Sequence, residues 1–231
     1  MIKRLSSILM AVLIAVTLCS CRSERKEDIY IVFTSDVHCG VNDNFTMASL
    51  KAYVDDLKSE HSYVTLVDTG DYVQGAEIGP LSKGEYAIGI MNQVGYDIVT
   101  YGNHEFDYGM PQLKKLISMM EFDTIAANVI YSGKEGSAFK NVPSYVIREY
   151  GPTKVAFIGI LTPESIVEST PSNFMEDGEY VYDFYLGNNG QKLYERVQKT
   201  VDEARSEGAD YVVALSHLRS EEHTSELQSQ M

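Results

Sequence analysis

Three apolar runs in this chain each end in residue types that bind metals, and that succession constrains the fold more than any bulk property. Ile29 to Phe33 leads into Thr34-Ser35-Asp36-Val37-His38-Cys39-Gly40, and Val64 to Asp68 leads into Thr69-Gly70-Asp71. Tyr96 to Thr100 leads into Tyr101-Gly102-Asn103-His104-Glu105. Short apolar runs bounded by turn residues read as strands. Side chains two apart on an extended segment point the same way, so Asp36 and His38 are expected to reach one point just past the first strand. Open α/β sheets bind ligands at the C-terminal ends of their strands, where all three runs deliver their donors.

The stretches between the runs carry helical spacing. Met47, Leu50, Val54 and Leu57 form one apolar stripe, with Lys51, Asp55, Asp56 and Lys58 opposite and Thr46 or Asn44 as the cap. His61 is expected to be solvated in the following turn. A loop with glycines at 75, 79 and 84 precedes a helix around Tyr86 to Gln93. Pro111 starts another helix, with Leu113, Leu116, Ile117 and Met120 inward. Thr124 to Ile130 is β-prone, Ser132 to Ser137 is a surface loop, and Tyr145 to Glu149 with Val155 to Ile160 predicts a hairpin. Pro163 to Gly190 is mostly polar and is expected to be loop or short irregular helix. Leu193, Val197, Val201 and Ala204 then mark a helix that Gly208 ends, and Tyr211 to Leu215 is a last strand delivering Ser216 and His217. Such alternation predicts a layered α/β domain.

With 231 residues, one domain with a full core is expected. Residues 27–218 hold 13 basic against 29 acidic residues, a balance of −16, where the whole chain carries −14. Such a surface repels a nucleic-acid polymer and leaves a small phosphorylated metabolite as the compatible partner. Residues 1–21 read as a signal peptide: Lys3 and Arg4 precede the apolar Ile8 to Leu18, too short for a permanent span. Leu18-Cys19-Ser20-Cys21 resembles a bacterial lipobox, which predicts a lipidated Cys21, a tether over residues 22–28 and an exported lipoprotein facing the periplasm or cell surface. A plain secretory signal is the alternative. The membrane contact would be the lipid anchor alone. Cys39 then remains as the single thiol of the domain, leaving no internal disulfide. It is not expected to ligate metal, because adjacent residues point apart. Arg219 to Met231 breaks the pattern. Its first eleven residues resemble a translated sequencing adapter, so a non-native tail is expected there, with the natural sequence continuing past Leu218 and His223 outside any site.

Carboxylate, imidazole and amide donors together suit two divalent ions drawn from Mn²⁺, Zn²⁺, Fe²⁺, Mg²⁺ or Ca²⁺. Asp36 and His38 would serve one ion and Asn103 and His217 a second, with Asp71 as the bridge. Two ions roughly 3.5 to 4 Å apart can hold a hydroxide between them and bind two oxygens of a phosphate. His104 would face the substrate, oriented by Asp107 three residues on, as a general acid or charge stabiliser. A loop-stabilising His-Asp contact is the alternative for that pair.

The order Asp-x-His, Gly-Asp, Gly-Asn-His-Glu and a late strand ending in His resembles the calcineurin-like metallophosphoesterase superfamily over about residues 29 to 218. The form Gly-Asn-His-Glu-Phe-Asp resembles its 5'-nucleotidase branch, which includes 2',3'-cyclic phosphodiesterases. The resemblance implies an α/β/β/α arrangement of sheets flanked by helices, incomplete at the C-terminus. It implies metal ligands at Asp36, His38, Asp71, Asn103 and His217, and His104 with Asp107 as the catalytic pair. The family continues with a Gly-His-x-His-like segment, and many members add a C-terminal domain that contacts the nucleoside. Neither is in this sequence, so substrate-binding residues stay unassigned and the 231-residue chain is expected to be weakly active or inactive. The activity implied is dimetal hydrolysis of a nucleotide phosphoester. Cyclic nucleotides, sugar phosphates or a sulfur-containing analogue are alternative substrates, and a non-catalytic surface-binding lipoprotein is the rival class.

Overall fold

The computed structural model describes residues 27–40 and 46–218. The signal peptide, Cys21, most of the tether, Asn44 and the tail from Arg219 with His223 lie outside the described residues. Chain order begins β1 (Tyr30–Thr34), α1 (Met47–Glu60), β2 (Val64–Asp68), α2 (Ile78–Ser82), α3 (Glu85–Val94) and β3 (Ile98–Val99). A 3-10 turn at His104–Phe106 leads to α4 (Met110–Met119), β4 (Asp123–Thr124), β5 (Ile130–Tyr131), β6 (Tyr145–Tyr150) and β7 (Thr153–Leu161). Then come α5 (Ser165–Glu168), β8 (Met175–Glu176), β9 (Glu179–Tyr180), β10 (Tyr182–Asp183), α6 (Gln191–Ser206) and β11 (Tyr211–His217).

Two sheets carry the site. The first is parallel throughout, in the order β1-β2-β3-β4. The second runs β11-β7-β6, with β11 parallel and β6 antiparallel to β7. Period-two alternation decides what each sheet faces. In β2, Leu66 joins Leu50, Val54, Ile88, Met91 and Leu116 from the outer helices, while its neighbour Val67 joins Ile98, Val155, Phe157 and Leu215 between the sheets. In β7, Val155 and Phe157 face inward, and Ala156, Ile158 and Ile160 face α6. The layers are therefore α/β/β/α, and burying each large inward side chain stabilises the fold by about 1.5–3 kcal/mol. Among the described residues no helix is long and apolar enough to cross a membrane.

Local signals act as expected where a side chain has a backbone partner. Thr46 caps α1 by accepting from the Ser49 amide at 3.1 Å. Three expectations need correction. The glycine loop after Asp71 contains α2, which Lys83 ends in a left-handed conformation at φ 51°. His61 stacks on Tyr30 with ring centroids 4.1 Å apart, so solvation is not its whole environment. The run from Thr124 to Ile130 is not one strand: the Ile125 amide bonds Val99 of the first sheet and the Ala127 amide bonds Gly159 of the second. That crossing brings backbone so close that a Cβ at Gly159 would collide with the Ile125 carbonyl. The polar stretch from Pro163 to Gly190 is indeed irregular, yet it also supplies core: Ile166, Phe174, Tyr182 and Phe184 pack with Tyr101, Phe106, Leu113 and Phe139.

Candidate metal centre

The tips of β1, β2 and β3 are joined by backbone before any side chain is considered. The Asp36 amide donates to Gly70 O at 3.1 Å and the His38 amide to Asp71 O at 2.9 Å, so the first loop lies on the second. Asp36, His38, Cys39 and Asp71 all have positive φ, at 54°, 47°, 57° and 62°. Alternation along a strand therefore does not explain how Asp36 and His38 come within 4.0 Å of each other; the left-handed backbone at both residues accompanies that approach. Such conformations cost about 1–2 kcal/mol per non-glycine residue, and they persist because the loop bonds over-determine them. The glycines preceding two of the proposed ligands have a purpose the sequence did not reveal. A Cβ at Gly70 would collide with the Gly102 nitrogen, and one at Gly102 with the Asp71 carboxylate.

The donors converge on Asp71. One donor atom each from His38, Asp71 and His104 lies within 4.8 Å of the others, and the same is true of Asp36, Asp71 and His217. His217 Nε2 is 3.3 Å from Asp71 Oδ2, His38 Nε2 is 3.8 Å from that oxygen, and His38 Nε2 is 4.0 Å from Asp36 Oδ1. Both histidines spend Nδ1 on a backbone carbonyl, His38 on Gln74 at 3.0 Å and His217 on Thr69 at 3.1 Å. Those bonds fix the tautomer that leaves Nε2 for a cation. Asn103 is buried at the start of the 3-10 turn, directly after Gly102. His38 and His104 also approach each other beside Asp71, their rings meeting edge to face at 5.1 Å. Cys39 points elsewhere, its thiol donating to Tyr72 O at 3.2 Å, and burial pushes that thiol up to about 11.

The electrostatics fit a cation. Burial alone would lower the His217 pKa, but the hydrogen bond and charge of Asp71 outweigh it and push the imidazole up to about 9. Asp71 moves the other way: burial would raise it, while His217 and the His104 amide lower it. A divalent ion would take the place that the His217 proton holds between these groups. Carboxylates and imidazoles with tied-off Nδ1 atoms are the donor chemistry such an ion requires.

Beside the donors, His104 Nδ1 is 2.7 Å from Asp107 Oδ2, and this contact raises the imidazole's pKa. Asp107 Oδ1 in turn accepts from Ser169 Oγ at 3.0 Å. Sequence reasoning misses Ser169 because it comes from the irregular stretch after α5, where no spacing rule reaches. Glu105 stands inside the Gly-Asn-His-Glu motif without a role that its position suggests, yet it is 1% exposed and bonds only to backbone amides. A groove of about 550 Å³ lined by Ile130, Ile166, Val167, Tyr180 and Leu186 contains none of the donors in its wall. The chemistry therefore assigns the site to the strand tips and not to that groove.

Comparison with known proteins bears on the family of the chain. The profile of the family described as Calcineurin-like phosphoesterase matches residues 29–229. A snake venom 5'-nucleotidase from Gloydius brevicauda is 29% identical over 208 residues, covering 82% of this chain and 33% of its own length. A 2',3'-cyclic-nucleotide 2'-phosphodiesterase/3'-nucleotidase from Haemophilus influenzae is 30% identical over 217 residues, covering 82% of this chain and 31% of its own. The crystal structure of a 5'-nucleotidase precursor from Thermus thermophilus superposes with a TM-score of 0.67 at 25% identity, covering 82% of this chain and 37% of that one. This chain thus spans about a third of the length of the curated relatives it matches.

Proposed function

This chain belongs to the calcineurin-like phosphoesterase family, and from that premise we propose that it is a divalent-metal-dependent phosphoric ester hydrolase acting on nucleotides. The observation that carries the reading is that the Asp71 carboxylate lies within reach of both histidines proposed for different ions, 3.3 Å from His217 Nε2 and 3.8 Å from His38 Nε2. One carboxylate that two groups of ligands share is what a pair of neighbouring ions needs. Asp36, His38, Asp71, Asn103 and His217 would hold the ions. When bound, they supply Lewis acidity for the phosphoester and lower the pKa of an attacking water. His104, with Nδ1 engaged by Asp107, keeps Nε2 for a phosphoryl oxygen or the leaving group, and Ser169 fixes the carboxylate that orients it.

The nucleotide substrate class rests on the named activities of the relatives, and a second reading, hydrolysis of a 2',3'-cyclic nucleotide, on the Haemophilus relative. The test is hydrolysis by the full-length protein of a 5'-nucleotide, read as phosphate released, and of a 2',3'-cyclic nucleotide, read as the nucleoside monophosphate formed, each with and without chelator. Chelator-sensitive turnover of the 5'-nucleotide supports the first reading, and of the cyclic ester alone the second. No metal-dependent hydrolysis of either would overturn both and favour a binding lipoprotein. The N-terminal pattern supports an exported lipoprotein held at the membrane by Cys21. Cys21→Ala should then move the protein from the membrane fraction to the soluble one, and an unchanged distribution would contradict the anchor.

A further inference from the structure

Among the described residues Glu105 is a fully buried carboxylate with no basic side chain bonded to it, and every hydrogen bond it accepts comes from backbone. Its Oε2 accepts from the Asp71 amide at 2.8 Å and the Gly102 amide at 2.6 Å. Its Oε1 accepts from Tyr72 at 2.8 Å and Val73 at 3.3 Å. Three consecutive amides, beginning at the left-handed Asp71, thus form an anion-binding concavity, and the chain fills it with its own side chain. The fourth amide belongs to the neighbouring strand tip. Asp71 returns the contact, since its Oδ1 accepts from the His104 amide at 2.8 Å. Two loops more than thirty residues apart in sequence therefore exchange a carboxylate for an amide in both directions.

Resting on the metal-centre reading above, we propose that Glu105 is a positioning residue that holds the shared Asp71 carboxylate in its ion-bridging orientation before metal arrives. Asp71 occupies a backbone conformation that L-residues avoid, and its loop touches Gly102 backbone to backbone. The clamp fixes the amide side of Asp71, while the His38 amide holds its carbonyl and the His104 amide its carboxylate. Loss of the clamp would free the amide side and let the carboxylate shift relative to His38 and His217. The energy of orienting Asp71 is then supplied on folding and not drawn from metal binding, which is how outer groups raise ligand affinity.

Glu105→Gln discriminates because the side chain keeps its shape. Each carboxylate oxygen accepts from two amides, so whichever way the glutamine amide is turned, an NH₂ group faces two N–H donors. Circular dichroism and a thermal melt of the metal-free protein come first, followed by Mn²⁺ and Zn²⁺ titrations at a temperature where parent and variant are both folded. The clamp predicts a Kd raised by about ten- to a hundredfold in the variant. A residue that only stabilises the fold would lower the melting temperature and leave the Kd of the folded fraction unchanged, which would overturn the inference. A parent that binds neither ion would instead overturn the metal-centre reading itself, so the two failures are distinct. Should Glu105→Gln not fold, amide hydrogen exchange in the metal-free parent decides. Protection of the Asp71 and Gly102 amides supports the clamp; protection that comes only with Mn²⁺ contradicts it.

Discussion

Asp71 and His217 expose 5% and 8% of their side chains, whereas Asp36 and His38 expose 38–50% of theirs. The buried side joins sheet and clamped loop: His217 is the last residue of β11, and Asp71, in the loop after β2, is bracketed by the Glu105 clamp and the His104 amide. The open side rests on a left-handed loop held by the Gly70, Asp71 and Gln74 carbonyls and the Ala76 amide. Charges in the dry region interact more strongly, and those in the wet one are screened. On the two-ion proposal, the difference would make the sites unequal, the buried one binding more tightly and the open one exchanging more readily with solvent.

The largest effect should follow from erasing the residue common to both sides. In the full-length protein, Asp71→Ala is expected to reduce metal-dependent hydrolysis at least about a thousandfold, roughly 4 kcal/mol, the scale of the stabilisation that a metal supplies. Phosphate release at saturating Mn²⁺ measures it, and activity within tenfold of the parent would remove Asp71 from its central role. Next, His104→Asn should lower kcat about a hundredfold while metal content by elemental analysis stays near that of the parent. Loss of metal in that variant would mean that His104 belongs to the triple with His38 as a ligand and not as a substrate-facing acid.

A smaller effect sharpens the contrast itself. His217→Ala should weaken Mn²⁺ binding about tenfold more than His38→Ala, a difference of about 1.4 kcal/mol. Equal losses in titration would show that burial does not rank the two sides. Smallest is a pH effect on the metal-free protein. The folded pKa of His217 is raised to about 9, and those of Asp68 and Glu105, chiefly by burial, to about 8 and about 7. A group raised on folding contributes stability that is full below its unfolded pKa and is lost as pH rises through the folded value. All three act in the same direction, so the metal-free melting temperature should fall between about pH 4, near the unfolded carboxyl values, and about pH 9, by roughly 3 °C for each 1 kcal/mol lost. Because metal binding favours deprotonated histidine, apparent Mn²⁺ affinity should rise over the same window.

Legibility in the sequence followed the same division. The strand tips were readable because short apolar runs end at glycine-flanked donors, and the α1, α4 and α6 stripes recur at helical spacing. The convergence of Asp36, His38, Asp71, His104 and His217 follows from that order. What could not be read were interactions whose partner is backbone or whose spacing has no period. Glu105 accepts from amides, which every residue but proline possesses, so its partners leave no trace in composition. Positive φ at Asp36 and His38 leaves none either, since neither residue is glycine. Phe174, Tyr182 and Phe184 were hidden in a polar, aperiodic stretch, although Phe174 and Phe184 pack on Phe106 of the His104 turn.

One carboxylate serving two cations is the claim on which the account turns, and paramagnetic resonance of Mn²⁺ bound to the full-length protein addresses it directly. Two ions that share Asp71 should give an exchange-coupled signal at the second equivalent, and Asp71→Ala should abolish it. Isolated six-line spectra at both equivalents, or coupling that survives the substitution, would contradict a shared aspartate.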